Sequence, residues 1–273
     1  MIATARAQSI APAPGFLAQE WGVVATLWRR DMLRLRRERS RWLGVVLQPL
    51  MLWLIIGSGM TGTFTLKGAE GLGYLQYFFP GVLVMIVLFT AIFATISVIE
   101  DRQLGFLQGV LVAPGSRASM VLGKVAGVTT LALLQASLFV PLAPLAGYPL
   151  GQIAYPTLLM AVVLGCMGLT AIGFSLAWIL SSAQAYHAVM SVLLIPLWML
   201  SGAMFPAHGA WIQGIMGVNP MTYAVSAVRH ALAPASVNPG PGLALSLGVL
   251  LGFATLALAL AILVSRRVGA RPT

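Results

Sequence analysis

Between Lys124 and Arg229 lie 104 residues without a single Asp, Glu, Lys or Arg, and the 36 residues from His230 to Ser265 add none. About 20 apolar residues in a helix cross the roughly 30 Å hydrocarbon core of a bilayer. Backbone polar groups inside lipid must be satisfied within helices or a closed barrel. The two uncharged blocks therefore have room for several crossing helices. The rest of the chain agrees, with 59% hydrophobic and only 8% charged residues, against roughly a quarter charged in soluble domains. The sequence predicts an all-α integral membrane protein.

A net charge of +10 does not point to nucleic acid, because the basic residues are clustered. Eight of the 16 precede the first long apolar run, and cytoplasmic segments of membrane proteins collect Lys and Arg. The single cysteine, Cys166, sits inside an apolar run and is read as a small core residue. No secretory signal is apparent, since the first long apolar segment begins near Trp42 behind a basic stretch.

Residues 1–15, rich in Ala and Pro, are expected to form a disordered tail. From 16 to 41, Leu17, Trp21, Val24, Trp28, Met32 and Leu35 recur at three- and four-residue intervals, while Arg29, Arg30, Arg34, Arg36 and Arg37 take the other faces. Such a basic amphipathic helix lies in a membrane interface. Six spans follow, at about 42–60, 76–99, 121–147, 153–180, 187–206 and 243–264, leaving 266–273 as a tail. Pro141, Pro144 and Pro196 are expected to kink or break their helices. With the N-terminus inside, 14 of the 16 basic residues fall on the inner side, leaving Lys67 and Arg229 outside. That bias predicts cytoplasmic N- and C-termini.

The second span ends abruptly. Gly71 to Val98 holds no formal charge across 28 residues, and Glu100, Asp101 and Arg102 follow almost at once. Leu104, Leu107, Val110 and Leu111 then share one helical face, and Pro114 with Gly115 stops the helix. A short amphipathic helix at the cytoplasmic face suits docking into a groove on a soluble partner; an interfacial helix without a partner is the alternative. Farther on, residues 207–232 are apolar enough to enter a membrane, yet Gly209, Gly214, Gly217 and Pro220 break them into pieces too short to span. Irregular backbone at that depth must be buried in protein or line a cavity. Arg229 at a bilayer centre would cost about 2.5–3.5 kcal/mol on insertion scales, so the outer interface is its expected place.

Two motifs carry a resemblance. After the second span come an acidic residue and an arginine, a glycine, a leucine-rich turn, Pro-x-x-Arg and a Gly-Lys lead-in: Glu100, Arg102, Gly105, Leu111, Pro114, Arg117, Gly123 and Lys124. Near the fifth span come Ser201, Gly202, Phe205 and Pro206, then Asn219, Pro220 and Arg229. Together they resemble the ABC-2 family of ABC exporter permeases, over about residues 20–265. Gln108 stands where relatives often have Glu. The resemblance implies six spans over 42–265, an N-terminal interface helix, a cytoplasmic coupling helix and short re-entrant helices before the last span. By the same resemblance Glu100, Asp101, Arg102, Gly105, Leu107, Leu111, Pro114 and Arg117 couple to an ATPase. Ser201, Gly202, Phe205, Pro206, Asn219, Pro220 and Arg229 form an external gate, and Met51, Trp53, Trp198 and Met199 are candidates for lining the path.

No G-x-x-x-x-G-K-[ST] phosphate cradle occurs, so this chain is not expected to hydrolyse ATP or to carry a cofactor. The resemblance implies two separate ATPase subunits holding ATP and Mg, a second permease copy or a similar chain, and a bacterial-type inner membrane. The rival reading is an ion-coupled carrier or intramembrane enzyme, but no Asp or Glu follows Asp101, and His187 and His208 stand alone. With few aromatics and no charge expected within a span, the cargo is read as a drug-like or lipid-like amphiphile. Polysaccharide or lipo-oligosaccharide export is the runner-up. Gly165, Gly168 and Gly173 are expected to let the fourth span pack closely.

Overall fold

The computed structural model describes residues 15–37, 39–60, 73–105, 115–206, 209–233 and 240–268. These residues form a bundle of helices. An outer helix α1 (Phe16–Arg37) leads into α2 (Arg39–Gly59) and α3 (Tyr74–Gln103). Next come α4 (Arg117–Phe139), α5 (Tyr155–Ile179) and α6 (Ala183–Trp198). Two short helices, α7 (Ala210–Val218) and α8 (Pro220–Leu232), precede α9 (Leu243–Val268). No strand occurs among the described residues.

Five helical stretches are long and apolar enough to cross a bilayer: Tyr74–Gln103, Arg117–Ala146, Tyr155–Ile179, Ala183–Ala203 and Leu243–Arg266. The expected first span corresponds to α2, whose apolar part, Gly44–Gly59, is shorter. The expected spans thus all coincide with helices. Helix α2 begins slightly before the anticipated boundary, and α3 carries Glu100, Asp101 and Arg102 in its last turns. One expectation needs correction: no charge is expected within a span, yet Lys124, in the Gly-Lys lead-in, lies buried inside α4. A nearby carboxylate, described below, makes that burial tolerable.

The prolines act as chemistry demands. At Pro141 and Pro144 the α4 helix tightens into a 3₁₀ stretch, Val140–Ala146, which ends at Gly147. Beyond Pro196, α6 widens into a π-helical turn, Met199–Ala203. The π-turn contains Gly202 at φ +79°, a left-handed conformation strained for other residues.

The core centres on α3, buried along nearly its whole length. Around it pack α2, α4, α5, α6 and α8, and α9 packs mainly on α5. Small residues set the closest approaches. A Cβ on Gly168 would meet the Phe253 ring at 2.4 Å, and one on Gly173 would meet Thr95 Oγ1 at 2.8 Å and the Tyr186 hydroxyl at 2.9 Å. Both contacts lie within this chain. Gly165 is looser, with only Ala224 Cβ at 4.0 Å.

Helix α1 docks on α4 through a face that takes in only part of its periodic apolar stripe, Val24 and Trp28. Val23, Val24, Leu27 and Asp31 meet Gly115, Gly123 and Gly127, where a Cβ would stand 2.7–3.1 Å from the side chains opposite. The stripe divides: Leu17 and Trp21 point outward, 72% and 68% exposed, whereas Trp28 donates its indole N–H to the Thr130 hydroxyl of α4 at 3.0 Å. That division suits an interface helix, with small residues meeting protein and Leu17 and Trp21 left for lipid.

Candidate functional site

At the end of the bundle where α3 stops, the charged residues join separate helices. Arg34 pairs with Glu100 and Arg30 with Asp101, clamping α1 to the last turns of α3. Arg102 donates to the Trp178 carbonyl at 2.7 Å and also to the Leu180 carbonyl, and Gln103 donates to the Ser181 carbonyl at 3.1 Å. The C-terminal carbonyls of α5, which have no partner within their own helix, are satisfied by a cation favoured there by the helix dipole. Gly105, at φ +74°, follows the end of α3.

The chain re-enters the bundle at Ser116, which caps α4 by accepting from the Ser119 amide at 3.2 Å. Glu20 of α1 accepts from the Ser116 amide at 2.9 Å and from its hydroxyl at 2.5 Å. The Ser116 hydroxyl bond holds the Glu20 carboxyl below its usual range against a smaller opposing effect of desolvation. Arg117 reaches the Ser265 carbonyl near the end of α9 at 3.4 Å. Deeper, Lys124 donates to Asp31 at 2.8 Å and to the Ser97 hydroxyl at 2.7 Å, tying α1, α3 and α4 together.

Of the residues assigned to coupling, Glu100, Asp101, Arg102, Gly105 and Arg117 thus flank one segment, residues 106–114. Leu107, Leu111 and Pro114 lie outside the described residues. Sequence reasoning missed Glu20 and Asp31, which complete the clamp. A signal existed: the chain has six acidic residues, and a membrane protein so poor in acids places few of them idly.

At the opposite end, the second motif converges on the π-turn. Arg229, 6% exposed, donates to the Gly202 carbonyl at 2.7 Å, and its guanidinium lies 4.4 Å from the centre of the Tyr77 ring. The Tyr77 hydroxyl donates to the same carbonyl at 2.8 Å. A π-helical turn leaves carbonyls without their usual i+4 partner, and here two side chains supply donors. Asn219 bridges α6 and α8, donating to the Leu197 carbonyl at 2.6 Å and accepting from the Met221 amide at 2.9 Å. Pro220 then opens α8, where a missing N–H costs nothing. Ser201 donates to the Trp198 carbonyl at 2.5 Å. Phe205 is half-exposed and Pro206 follows it. Arg229 lies at the end of the bundle opposite Glu100 and Asp101 and is enclosed by protein.

The four candidate path residues separate. Met51 and Trp198 share a groove of about 360 Å³ between α2, α3 and α6, with Gln48, Ile55 and Phe89. Met199 is 42% exposed just beyond it. Trp53 is fully buried, donates to the Leu75 carbonyl at 2.9 Å, and meets the rings of Phe79 and Phe139 edge-on; it belongs to the core. Trp198 itself donates to the Gly81 carbonyl at 2.8 Å, fixing α6 to α3.

No group of three or more His, Cys, Asp or Glu able to hold a metal ion occurs among the described residues. The arrangement is one of joints between helices, suited to transmitting movement.

Comparison with known proteins gives a consistent assignment. A protein provisionally named transport permease ycf38 from Cyanophora paradoxa is 29% identical over 229 residues, covering 81% of this chain and 77% of its own. A protein of the same name from Porphyra purpurea is 26% identical, covering 76% and 72%. The daunorubicin resistance ABC transporter permease protein DrrB1 of Streptomyces coeruleorubidus is 25% identical, covering 76% and 73%. The profile of the ABC-2 type transporter family matches residues 23–233, from within α1 to the end of α8. The chain belongs to the ABC-2 type transporter family and is a multi-pass membrane permease.

Proposed function

We propose that this chain is the membrane subunit of an ATP-driven exporter that moves a hydrophobic or amphipathic substrate out of the cytoplasm or the inner leaflet. Two separate ATPase subunits supply the energy, and a second permease, identical or similar, completes the path. Residues 100–117 form the coupling element, with both termini of the chain on the same cytoplasmic side.

The observation that best supports this reading is the bracketing of residues 106–114. Before the segment, Arg30 and Arg34 grip Asp101 and Glu100, and Arg102 holds the end of α5. After it, Glu20 grips Ser116, and Arg117 reaches α9. A push on the segment therefore reaches α1, α3, α4 and α5 through charged hydrogen bonds that are short and orientation-sensitive, and α9 through the longer contact of Arg117 at 3.4 Å. The groove bearing Met51 and Trp198 has an apolar wall with a thioether and an indole, which tolerates varied hydrophobic shapes. A sequence relative whose name specifies daunorubicin resistance agrees with an amphipathic cargo.

The test is co-purification of the permease with its ATPase, followed by ATP turnover and efflux of a fluorescent amphiphile from proteoliposomes. Leu107→Asp is expected to abolish assembly or transport-linked turnover while leaving the permease folded in the membrane. A correctly inserted Leu107→Asp variant with unchanged assembly, turnover and efflux refutes the coupling assignment.

A further inference from the structure

The groove between α2, α3 and α6 has a floor and a rim of different kinds. Met85, Leu88, Phe89 and Trp198 make the floor, each less than one-tenth exposed. Along the rim stand Gln48, Met51 and Ile55, on one face of α2 at steps of three and four residues, with Ile195 of α6 as a further wall. The space among them, about 360 Å³, is of the size that small-molecule sites occupy.

Among the described residues that line it, Gln48 alone has polar capacity to spare, because Trp198 spends its N–H on the Gly81 carbonyl at 2.8 Å. Gln48 is exposed and has no hydrogen-bond partner among the described residues. It lies four residues beyond Gly44, about 6 Å into the apolar part of α2. Within hydrocarbon no water stands in for a missing partner, and an unpaired amide is costly there. A glutamine amide offers two donors and an acceptor oxygen, so it serves a hydroxyl or a carbonyl alike. Charge has no such reception. No Asp, Glu, Lys or Arg lines the groove among the described residues, and an ion inside would be unpaired in apolar surroundings. Nor do the rings replace a counter-ion: a cation needs an open ring face, and Trp198 and Phe89 are only 3% and 8% exposed.

We propose that this groove binds uncharged amphiphiles, with a hydroxyl or carbonyl oxygen of the ligand at Gln48 and its apolar body on Met85, Leu88 and Phe89. Gln48 sets the selectivity, while the thioethers of Met51 and Met85 adapt to the shape of the body. The assignment deepens the exporter reading and rests on it only in making the bound molecule a cargo.

One aryl diazirine in three forms tests this on the full chain in lipid nanodiscs: a benzyl alcohol, its methyl analogue without a hydrogen-bonding group, and a benzyl trimethylammonium cation. Photolabel from the alcohol is expected to concentrate several-fold on Met51, Ile55 and Ile195 relative to the exposed Leu251 and Leu256 of α9. The other two forms are expected to stay near that background. Gln48→Leu is expected to bring the alcohol down to the level of the methyl form and to leave Tm unchanged, since Gln48 bonds to nothing in the fold. Gln48→Met, closer in length, serves as the second variant should leucine disturb folding. Equal labelling by all three forms, or enrichment of the alcohol that survives both variants, overturns the proposal. So does a fall of the Gln48→Leu protein from a pair to a monomer, which would assign the amide to a second copy of this chain. The labelling needs neither ATP nor an ATPase, so it stands or falls apart from the exporter reading. In proteoliposomes with the ATPase, efflux of the alcohol that is lost in Gln48→Leu makes the bound molecule a cargo. Efflux unchanged in that variant overturns the selective role of Gln48, whereas no efflux from the wild-type complex refutes the exporter reading and leaves the binding in place.

Discussion

Replacing Gly81 by alanine tests how the α3–π-turn joint is built. A Cβ at this position would stand 2.7 Å from Ala203 Cβ, 2.9 Å from its Cα and 2.9 Å from its carbonyl oxygen. Carbon atoms rest at about 3.5–4.0 Å, so α3 and the π-turn must separate by about 1 Å. Two of the three obstructing atoms are backbone, so no side-chain rotation relieves the contact. The same displacement stretches the bond from Trp198 to the Gly81 carbonyl, now 2.8 Å, to about 3.8 Å, past hydrogen-bonding range. Overpacking costs about 1–3 kcal/mol and the lost bond about 1 kcal/mol, against a gain in helix propensity of about 0.8–1 kcal/mol for Gly→Ala. The expected net loss is about 1–3 kcal/mol, or about 2–12 °C in Tm on the scale of soluble domains of this size. Gly165→Ala is the matched control, because its Cβ meets only Ala224 at 4.0 Å and it gains propensity without a clash. It is expected to melt at or slightly above the wild-type temperature. Cys166, the chain's single cysteine and fully buried, makes the assay specific: a thiol-reactive fluorophore reports unfolding. Equal melting of Gly81→Ala and wild type, or an equal fall in Gly165→Ala, refutes the argument.

Three further outcomes are expected. Lys124→Met takes the closer cation from Asp31 and leaves it Arg30 at 3.6 Å, in a site where Lys124 and Asp31 are about one-tenth exposed; breaking a buried pair costs up to about 3–5 kcal/mol, and adding Asp31→Leu is expected to recover most of the loss in the same thiol-dye melt. Glu20 has a folded pKa below its ordinary value of 4.5, through its bond to the Ser116 hydroxyl. Its contribution is therefore fully present above pH 4.5 and is lost as pH falls through the lower folded value. Hydrogen exchange should show Ser116 protection persisting at pH 4.5 and fading below it, and weakened at every pH in Glu20→Ala. Gly123→Val places side-chain atoms where a Cβ alone already stands 3.0 Å from Leu27 Cβ and 3.3 Å from Val24 Cα. It is expected to lift α1 from α4 and accelerate tryptic cleavage at Arg29 and Arg30, with wild-type cleavage rates as the refuting result.

Hydropathy and proline placement made the span helices legible, because both act locally: a 28-residue uncharged run can hardly be anything but a crossing helix, and Pro141 with Pro144 ends the regular α-helix of α4 in a 3₁₀ stretch. The docking face of α1 was not legible. Of its periodic apolar residues Leu17 and Trp21 face outward while Val24 and Trp28 turn to α4, and the face that meets protein is chosen by glycines on or just before α4, about a hundred residues away. Periodicity reports that a helix has two faces; in a membrane the larger apolar face need not be the packed one, since lipid and protein are equally dry. The fate of the tryptophans was hidden for the same reason. Trp53 and Trp198 read alike in sequence, yet one is enclosed by Phe79 and Phe139 while the other borders a groove.

The placement of charge explains why this chain keeps so few charged residues and where it keeps them. Within a bilayer an unpaired ion is expensive, so each one retained must satisfy something that apolar side chains cannot. Helix ends are such places, because their last carbonyls and first amides have no partner in the helix itself. Arg102 answers the end of α5, Arg117 reaches the end of α9, and Ser116, held by Glu20, begins α4. At the other end Arg229 does the same for a carbonyl of the π-turn. A hydrophobic contact slides at little cost, whereas a guanidinium on a carbonyl at 2.7 Å is lost within an ångström of movement. Helices joined this way at their ends, and by apolar packing along their lengths, shift as rods about fixed joints. Reversing one joint should therefore disturb assembly and movement more than it disturbs the core. Arg102→Glu, which removes the donors to Trp178 and Leu180, is expected to uncouple ATP turnover from efflux while lowering Tm less than Gly81→Ala does. A Tm loss exceeding that of Gly81→Ala, with coupling intact in the surviving protein, would show that Arg102 serves stability alone.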